Sequence, residues 1–76
     1  MSVNLNPGKH HTYDGQPGQY IGVTNDSGKK GAFKITFNSD AHNYSIGGYA
    51  TRSITPPGWP CTVKNTGQTE LTTYLG

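Results

Sequence analysis

The apolar residues of this chain recur at every second position, not every third or fourth. Across residues 32–38, Phe33, Ile35 and Phe37 fall on one side and Lys34, Thr36 and Asn38 on the other. That strict alternation predicts a half-buried strand. Residues 19–24 show the same period, with Ile21 and Val23 opposed to Tyr20, Gly22 and Thr24. The stretch between them, residues 25–31, is rich in Asn, Asp, Ser and Gly, which tolerate positive φ, so the pair reads as a hairpin. A second hairpin is expected near the C-terminus. There Cys61 and Val63 share one face, Leu71, Thr73 and Leu75 another, and Asn65-Thr66-Gly67-Gln68 lies between.

Weaker signals fill the rest. Val3 and Leu5 alternate in a short first strand that Asn6-Pro7-Gly8 stops, and residues 10–13 read as extended. Tyr44 and Ile46 share a face over residues 43–46. Gly47-Gly48 then marks a bulge or bend before residues 49–54 resume the strand. Residues 54–60 carry three prolines and cannot form a central strand. The reading is six or seven short strands about ten residues apart, an all-β antiparallel sandwich or small barrel with no substantial helix. The only room for a helix lies between Gly31 and Gly47, where β-branched and aromatic residues at period two argue against one. One domain over residues 1–76 is expected, with residues 1–8 as an extended N-terminal arm and no internal repeat.

Composition sharpens this picture. Val, Ile, Leu and Phe together make only 12 of 76 residues, a share low enough to raise disorder, but the aromatic fraction is 11% and the net charge only +2. Disordered chains combine few aromatics with a large net charge, so a small, turn-rich β protein is the better fit. A charge of +2 is too weak a field to imply a polyanionic partner. No apolar run reaches the length of a membrane span, and no charged-then-apolar leader opens the chain. A small domain short of bulky apolar side chains is usually supported by disulfides, a metal or association. The single cysteine, Cys61, cannot form an internal disulfide, and nothing spaces four zinc ligands. Association remains, by elimination.

Candidates for chemistry are few. His10, His11, His42, Asp14 and Asp40 are the only metal-ligand candidates, and adjacent histidines on a strand point to opposite faces. They read as solvated residues near turns, and no metal or other cofactor is expected. Cys61, between Pro60 and Thr62, reads as a small buried hydrophobe instead of a nucleophile. No Gly-x-Ser-x-Gly elbow is present. The stretch from Gly22 to Lys29 misses phosphate-loop spacing, and Lys30 stands where Ser or Thr is needed. A non-enzymatic role is expected.

Residues 30–37, Lys-Gly-Ala-Phe-Lys-Ile-Thr-Phe, resemble the Lys-Gly-Phe-Gly-Phe-Ile strand of cold-shock domains. The resemblance covers eight residues and implies an OB-like sheet that stacks nucleic-acid bases. Against it, the aromatic after the glycine is missing, and Phe33 and Phe37 are needed in a core with few other bulky residues.

The leading expectation is therefore a non-catalytic assembly or recognition module acting in multiple copies. A particle or virion surface protein, or a self-associating extracellular subunit, would fit, ahead of a cytoplasmic one. Its partner would be itself or a larger protein assembly. The arm, through Val3 and Leu5, or the last strand, residues 71–75, would pair with a neighbour's sheet edge. Trp59, held among prolines, and Tyr49, Tyr44 and Arg52 would make the remaining contacts. A small lectin-like module binding glycan through Tyr49, Tyr44 and Trp59 is the alternative, and an OB-like nucleic-acid binder comes third.

Overall fold

Every alternating stretch is a strand in the computed structural model, which describes residues 2–76. The strands are β1 (Ser2–Leu5), β2 (His10–Tyr13), β3 (Ile21–Asn25), β4 (Gly31–Phe37), β5 (Asp40–Ile46), β6 (Thr51–Ile54), β7 (Cys61–Asn65) and β8 (Leu71–Leu75). They form two four-stranded antiparallel sheets, ordered β1-β8-β3-β6 and β2-β7-β4-β5. The all-β sandwich expected from the pattern is present, with eight strands where six or seven were counted. The extra strand comes from residues 43–54, expected as one strand with a bulge or bend at Gly47-Gly48. β5 and β6 lie in different sheets, so residues 47–50 are a crossing and the strand does not resume. The residues that open β5 show no hydrophobic alternation until Tyr44, so the start of β5 at Asp40 has no signal in the sequence.

The pairing has one governing logic. β1 pairs with β8, β2 with β7, β3 with β6 and β4 with β5, so the chain is one long antiparallel hairpin folded at Asn38-Ser39. That hairpin is rolled until β8 also meets β3 and β7 also meets β4. This is the strand order of a jelly roll.

The topology corrects both expected hairpins. β3 and β4 lie in different sheets, as do β7 and β8, so residues 26–30 and 66–70 are crossings between layers. The hairpin between consecutive strands is β4–β5, whose tip holds Asn38 in the left-handed region (φ 54°). Two side chains organise the crossings. Asn25 and Asn65, each the last residue of its strand and each 0% exposed, grip the loops that follow them. Asn65 Oδ1 accepts from Gly67 N at 3.1 Å, and its Nδ2 donates to Thr69 O at 2.6 Å and Leu5 O at 2.9 Å. Asn25 repeats the pattern forty residues earlier. Its Oδ1 accepts from Ser27 N at 3.1 Å, and its Nδ2 donates to Lys29 O at 2.7 Å and more loosely to Ile46 O and Gly47 O. An asparagine suits the position because one amide carries both a donor and an acceptor, and it mimics a backbone turn.

A pseudo-repeat follows that was not expected from the sequence. Exchanging β1, β2, β3 and β4 for β5, β6, β7 and β8 carries one sheet's strand order onto the other's. The turn after β1 and the turn after β5 match as well: Lys9 N donates to Asn6 O, and Ala50 N to Gly47 O. At a forty-residue offset the halves share residues such as Pro17-Gly18 with Pro57-Gly58, Val23 with Val63 and Asn25 with Asn65, too few identities for the repeat to stand out in the sequence.

Inward-facing residues of the two sheets make one core, including Leu5, Ile21, Val23, Phe33, Ile35, Ile46, Val63 and Leu71. Tyr13 reaches across it, and its hydroxyl bonds Thr73 Oγ1 at 2.7 Å, linking the two sheets through a buried contact. Phe33 is fully buried and Phe37 half-buried, so the two rings compared with a base-stacking strand face inward or the sandwich end.

Replacing Asn65 with Ala removes three hydrogen bonds and leaves buried backbone groups unpaired, so Asn65→Ala should lower stability by about 2–4 kcal/mol. Asn25→Ala, whose longer bonds lie nearer solvent, should cost less. Urea titration of the two variants checks both the size and the order.

Candidate interaction surface

Strands at a sheet's edge carry backbone groups with no partner in the chain. The four edges here are β1, β6, β2 and β5. β8 is not among them, because β1 and β3 flank it. The last strand therefore cannot pair with a neighbour, contrary to expectation. Nor is residues 1–8 a free arm over its described part: Ser2–Leu5 is built into the sheet against β8, and Leu5 is 3% exposed in the chain's own core. Val3 packs half-buried against that core. Neither apolar side chain is free to meet a partner.

β5 differs from the other edges. It is seven residues long where β2 and β6 have four each, and Asp40, Ala41, His42, Asn43 and Ser45 are all exposed. One contact reveals the direction of its backbone. Arg52 Nη1 donates to Ser45 O at 3.1 Å from the opposite sheet, so that carbonyl points away from β4. In an antiparallel strand the N–H and C=O of one residue point the same way, and alternate residues point oppositely. Ala41 and Asn43 consequently present their backbone groups to the open edge with Ser45. Their side chains, small or polar, lie on the outer face, opposite Thr36, Lys34 and Ala32 of β4.

On the inner side of the same edge, Tyr44 and Arg52 meet. The Tyr44 ring stacks on Phe33 (centroids 5.1 Å apart, 17° between planes), and the Arg52 guanidinium sits 5.1 Å from its centroid. This is a cation–π contact that closes the gap between β5 and β6. Tyr44 is thus half-buried and engaged within the chain instead of standing free as a platform.

The β5–β6 turn continues this edge. Tyr49 is 75% exposed, and its φ is +56°. The matching turn after β1 places Gly8 there, at φ +85°. A Tyr in the left-handed region costs roughly 1 kcal/mol that a glycine would avoid. The turn is held down: Tyr49 N donates to Ser27 O at 2.9 Å, and a Cβ on Gly48 would strike the backbone of Gly28. Glycine at 48 lets the turn lie flat on the β3–β4 crossing, and it fixes where Tyr49 projects.

The other expected contact residue lies elsewhere. Trp59 is half-buried and packs on the core, and a Cβ on Gly15 would come within 2.8 Å of its indole. Gly58 beside it abuts Phe37, at the far end of β4 from Gly28 and Tyr49. Trp59 therefore plugs one end of the sandwich while Tyr49 marks the other. The five tyrosines do not form one face either. Tyr13 is core, Tyr20 and Tyr74 make an edge-to-face pair over Gly22 on the outer face of the first sheet, and only Tyr44 and Tyr49 share the β5 side. The histidines and aspartates do not converge: no group of three or more potential metal ligands forms among the described residues. Among the described residues, no helix is long and apolar enough to cross a membrane.

Cys61 is 1% exposed, and burial pushes its thiol above the usual range. An unfolded thiol titrates near pH 8.5. The stability this burial confers is thus complete below that pH and is lost as pH rises through the higher folded value. Native protein should leave Cys61 unlabelled by an aromatic disulfide reagent at pH 8, with reaction appearing only as the chain unfolds in denaturant. Rapid labelling of the folded chain would show that the core opens locally. No family model, curated protein or solved structure matches the chain.

Proposed function

We propose that this protein is a non-catalytic assembly and recognition module that works in multiple copies, as a subunit of a particle surface or an extracellular array. The observation that carries the reading is Tyr49. It is a large aromatic held in a strained conformation, exposed to water, at a turn whose counterpart uses glycine. Neither exposure nor strain favours the folded chain, and residues kept against stability cluster where molecules meet. Exposed tyrosine is also a strong contact residue, because it offers large amphipathic area with few torsions to freeze. Beside it runs the longest open edge in the molecule, β5.

Jelly rolls serve capsid and lectin domains alike, so the fold alone does not choose between assembly and sugar binding. The positions of the aromatics favour assembly. A sugar site built on Tyr44, Tyr49 and Trp59 needs the three to converge, whereas Trp59 sits at the opposite end from Tyr49.

The test is light scattering over a dilution series, with Tyr49→Gly beside the parent. The parent should populate species heavier than 8.2 kDa at micromolar to millimolar concentration. Tyr49→Gly should be as stable or up to about 1 kcal/mol more stable in urea, while associating about tenfold more weakly. A parent that stays solitary throughout the series overturns the reading.

A further inference from the structure

The geometry points to a specific partner for the open edge, a second copy of this chain joined β5 to β5 in antiparallel register about a two-fold axis at Asn43. This inference rests on the assembly reading and specifies its interface. Asn43 is the midpoint of β5 (Asp40–Ile46), so this register overlaps all seven residues of both copies. It sets Ala41 opposite the partner's Ser45 and Asn43 opposite the partner's Asn43. Those are the residues whose backbone groups face the open edge, as the Arg52–Ser45 contact establishes. Outward donors and acceptors therefore meet outward acceptors and donors, and two four-stranded sheets become one of eight. Ser45 O keeps its bond from Arg52 on one lone pair and accepts the partner's Ala41 N–H on the other.

Side chains support the same register. Ala41, Asn43 and Ser45 on the outer face present nothing bulky or like-charged to their counterparts. On the inner side, Tyr44 falls opposite the partner's His42, and Ile46 opposite the partner's Asp40. Arg52, over Tyr44 and against Ser45, lies at the end of the edge where the partner's Asp40 arrives, opposite Ile46. Among the described residues Arg52 contacts a ring and a carbonyl but no carboxylate. The two-fold axis forms the complementary pair twice, which suits an isologous interface. The same register brings the Gly47-Gly48-Tyr49 turn alongside the partner's Asn38-Ser39 turn, giving Tyr49 a surface to cover.

Other edges are less suited. β2 and β6 have four residues each, and Arg52 on β6 points toward the interior side, a placement that discourages pairing at that edge.

Symmetric cross-linking and charge exchange test the inference on the full chain. Asn43→Cys should oxidise to a covalent dimer, since directly opposed residues in such a pair lie about 5.5 Å apart between Cα atoms, within disulfide range. Ala41→Cys should not, because it faces the partner's Ser45, and the buried Cys61 does not compete. Asp40→Arg and Arg52→Asp should each weaken association about tenfold or more, and the double exchange should restore most of it, with thermal melts confirming that each variant folds. Cross-linking through Ala41→Cys but not Asn43→Cys overturns the register. Association that neither cysteine captures and neither charge change weakens overturns β5 pairing while leaving the assembly reading intact. A parent that is monomeric throughout overturns both.

Discussion

Two buried carboxamides hold this fold in its rolled form. A jelly roll needs its chain to leave one sheet and enter the other within a few residues, and each such crossing exposes backbone groups that no ladder can satisfy. Asn25 and Asn65 sit at the two equivalent crossings and supply the missing partners from inside the sandwich. Each also reaches an element outside its loop, at the end of β5 or β1. The same amide therefore closes the loop, ends a strand and ties down an edge. With either amide lost, residues 26–30 or 66–70 would have no local reason to prefer crossing over turning back as a hairpin.

That point also explains what the sequence disclosed. Alternation made β3, β4, β7 and β8 legible, because one face of each strand is buried and periodicity reports burial directly. It did not disclose connectivity. A run such as Asn25-Asp26-Ser27-Gly28 carries turn chemistry whether the next strand lies beside the last or across the core from it. The distinguishing feature, the burial of the Asn side chain, is a tertiary fact. β5 was only half visible, since an edge strand with exposed Asp40, Ala41, His42 and Asn43 has no buried face to imprint a period. Trp59 and Tyr49 looked alike as aromatics near glycine and proline. Each ring lies over a glycine, Gly15 under Trp59 and Gly28 under Tyr49. Only the contact of Trp59 with the core, against the exposure and positive φ of Tyr49, separates a plug from a surface residue.

The shortage of apolar side chains deserves a different interpretation from the one composition suggests. A chain with so few was expected to need association for stability. Inside the sandwich, however, polar groups take positions that aliphatic residues would otherwise fill. Asn25, Asn65 and Thr73 are fully buried and hydrogen-bonded, and the Tyr13–Thr73 bond joins the sheets. A satisfied buried network costs little and specifies its geometry narrowly. One buried hydroxyl, on Thr69, has no partner among the described residues, which marks where that economy is incomplete. The case for multiple copies consequently moves from the core to the surface, where Tyr49 and β5 are arranged.

The pseudo-two-fold relation between halves gives that surface its meaning. Where the halves agree, in the crossings and the paired turns, the demands of the fold are the common cause. Where they differ, the β4–β5 hairpin accounts for one difference and leaves the other without a structural cause. Gly8 and Tyr49 occupy equivalent turn positions, and the glycine is the one that backbone geometry favours. β1 and β5 are equivalent edges with the same burial over their last four residues, Leu5 ending one and Ile46 the other. The extra residues of β5, Asp40, Ala41 and His42, pair with Phe37, Thr36 and Ile35 in the β4–β5 hairpin. The hairpin with β4 accounts for the length of β5, whereas backbone geometry favours glycine over tyrosine at 49, so the exposed aromatic is the departure that the fold leaves over.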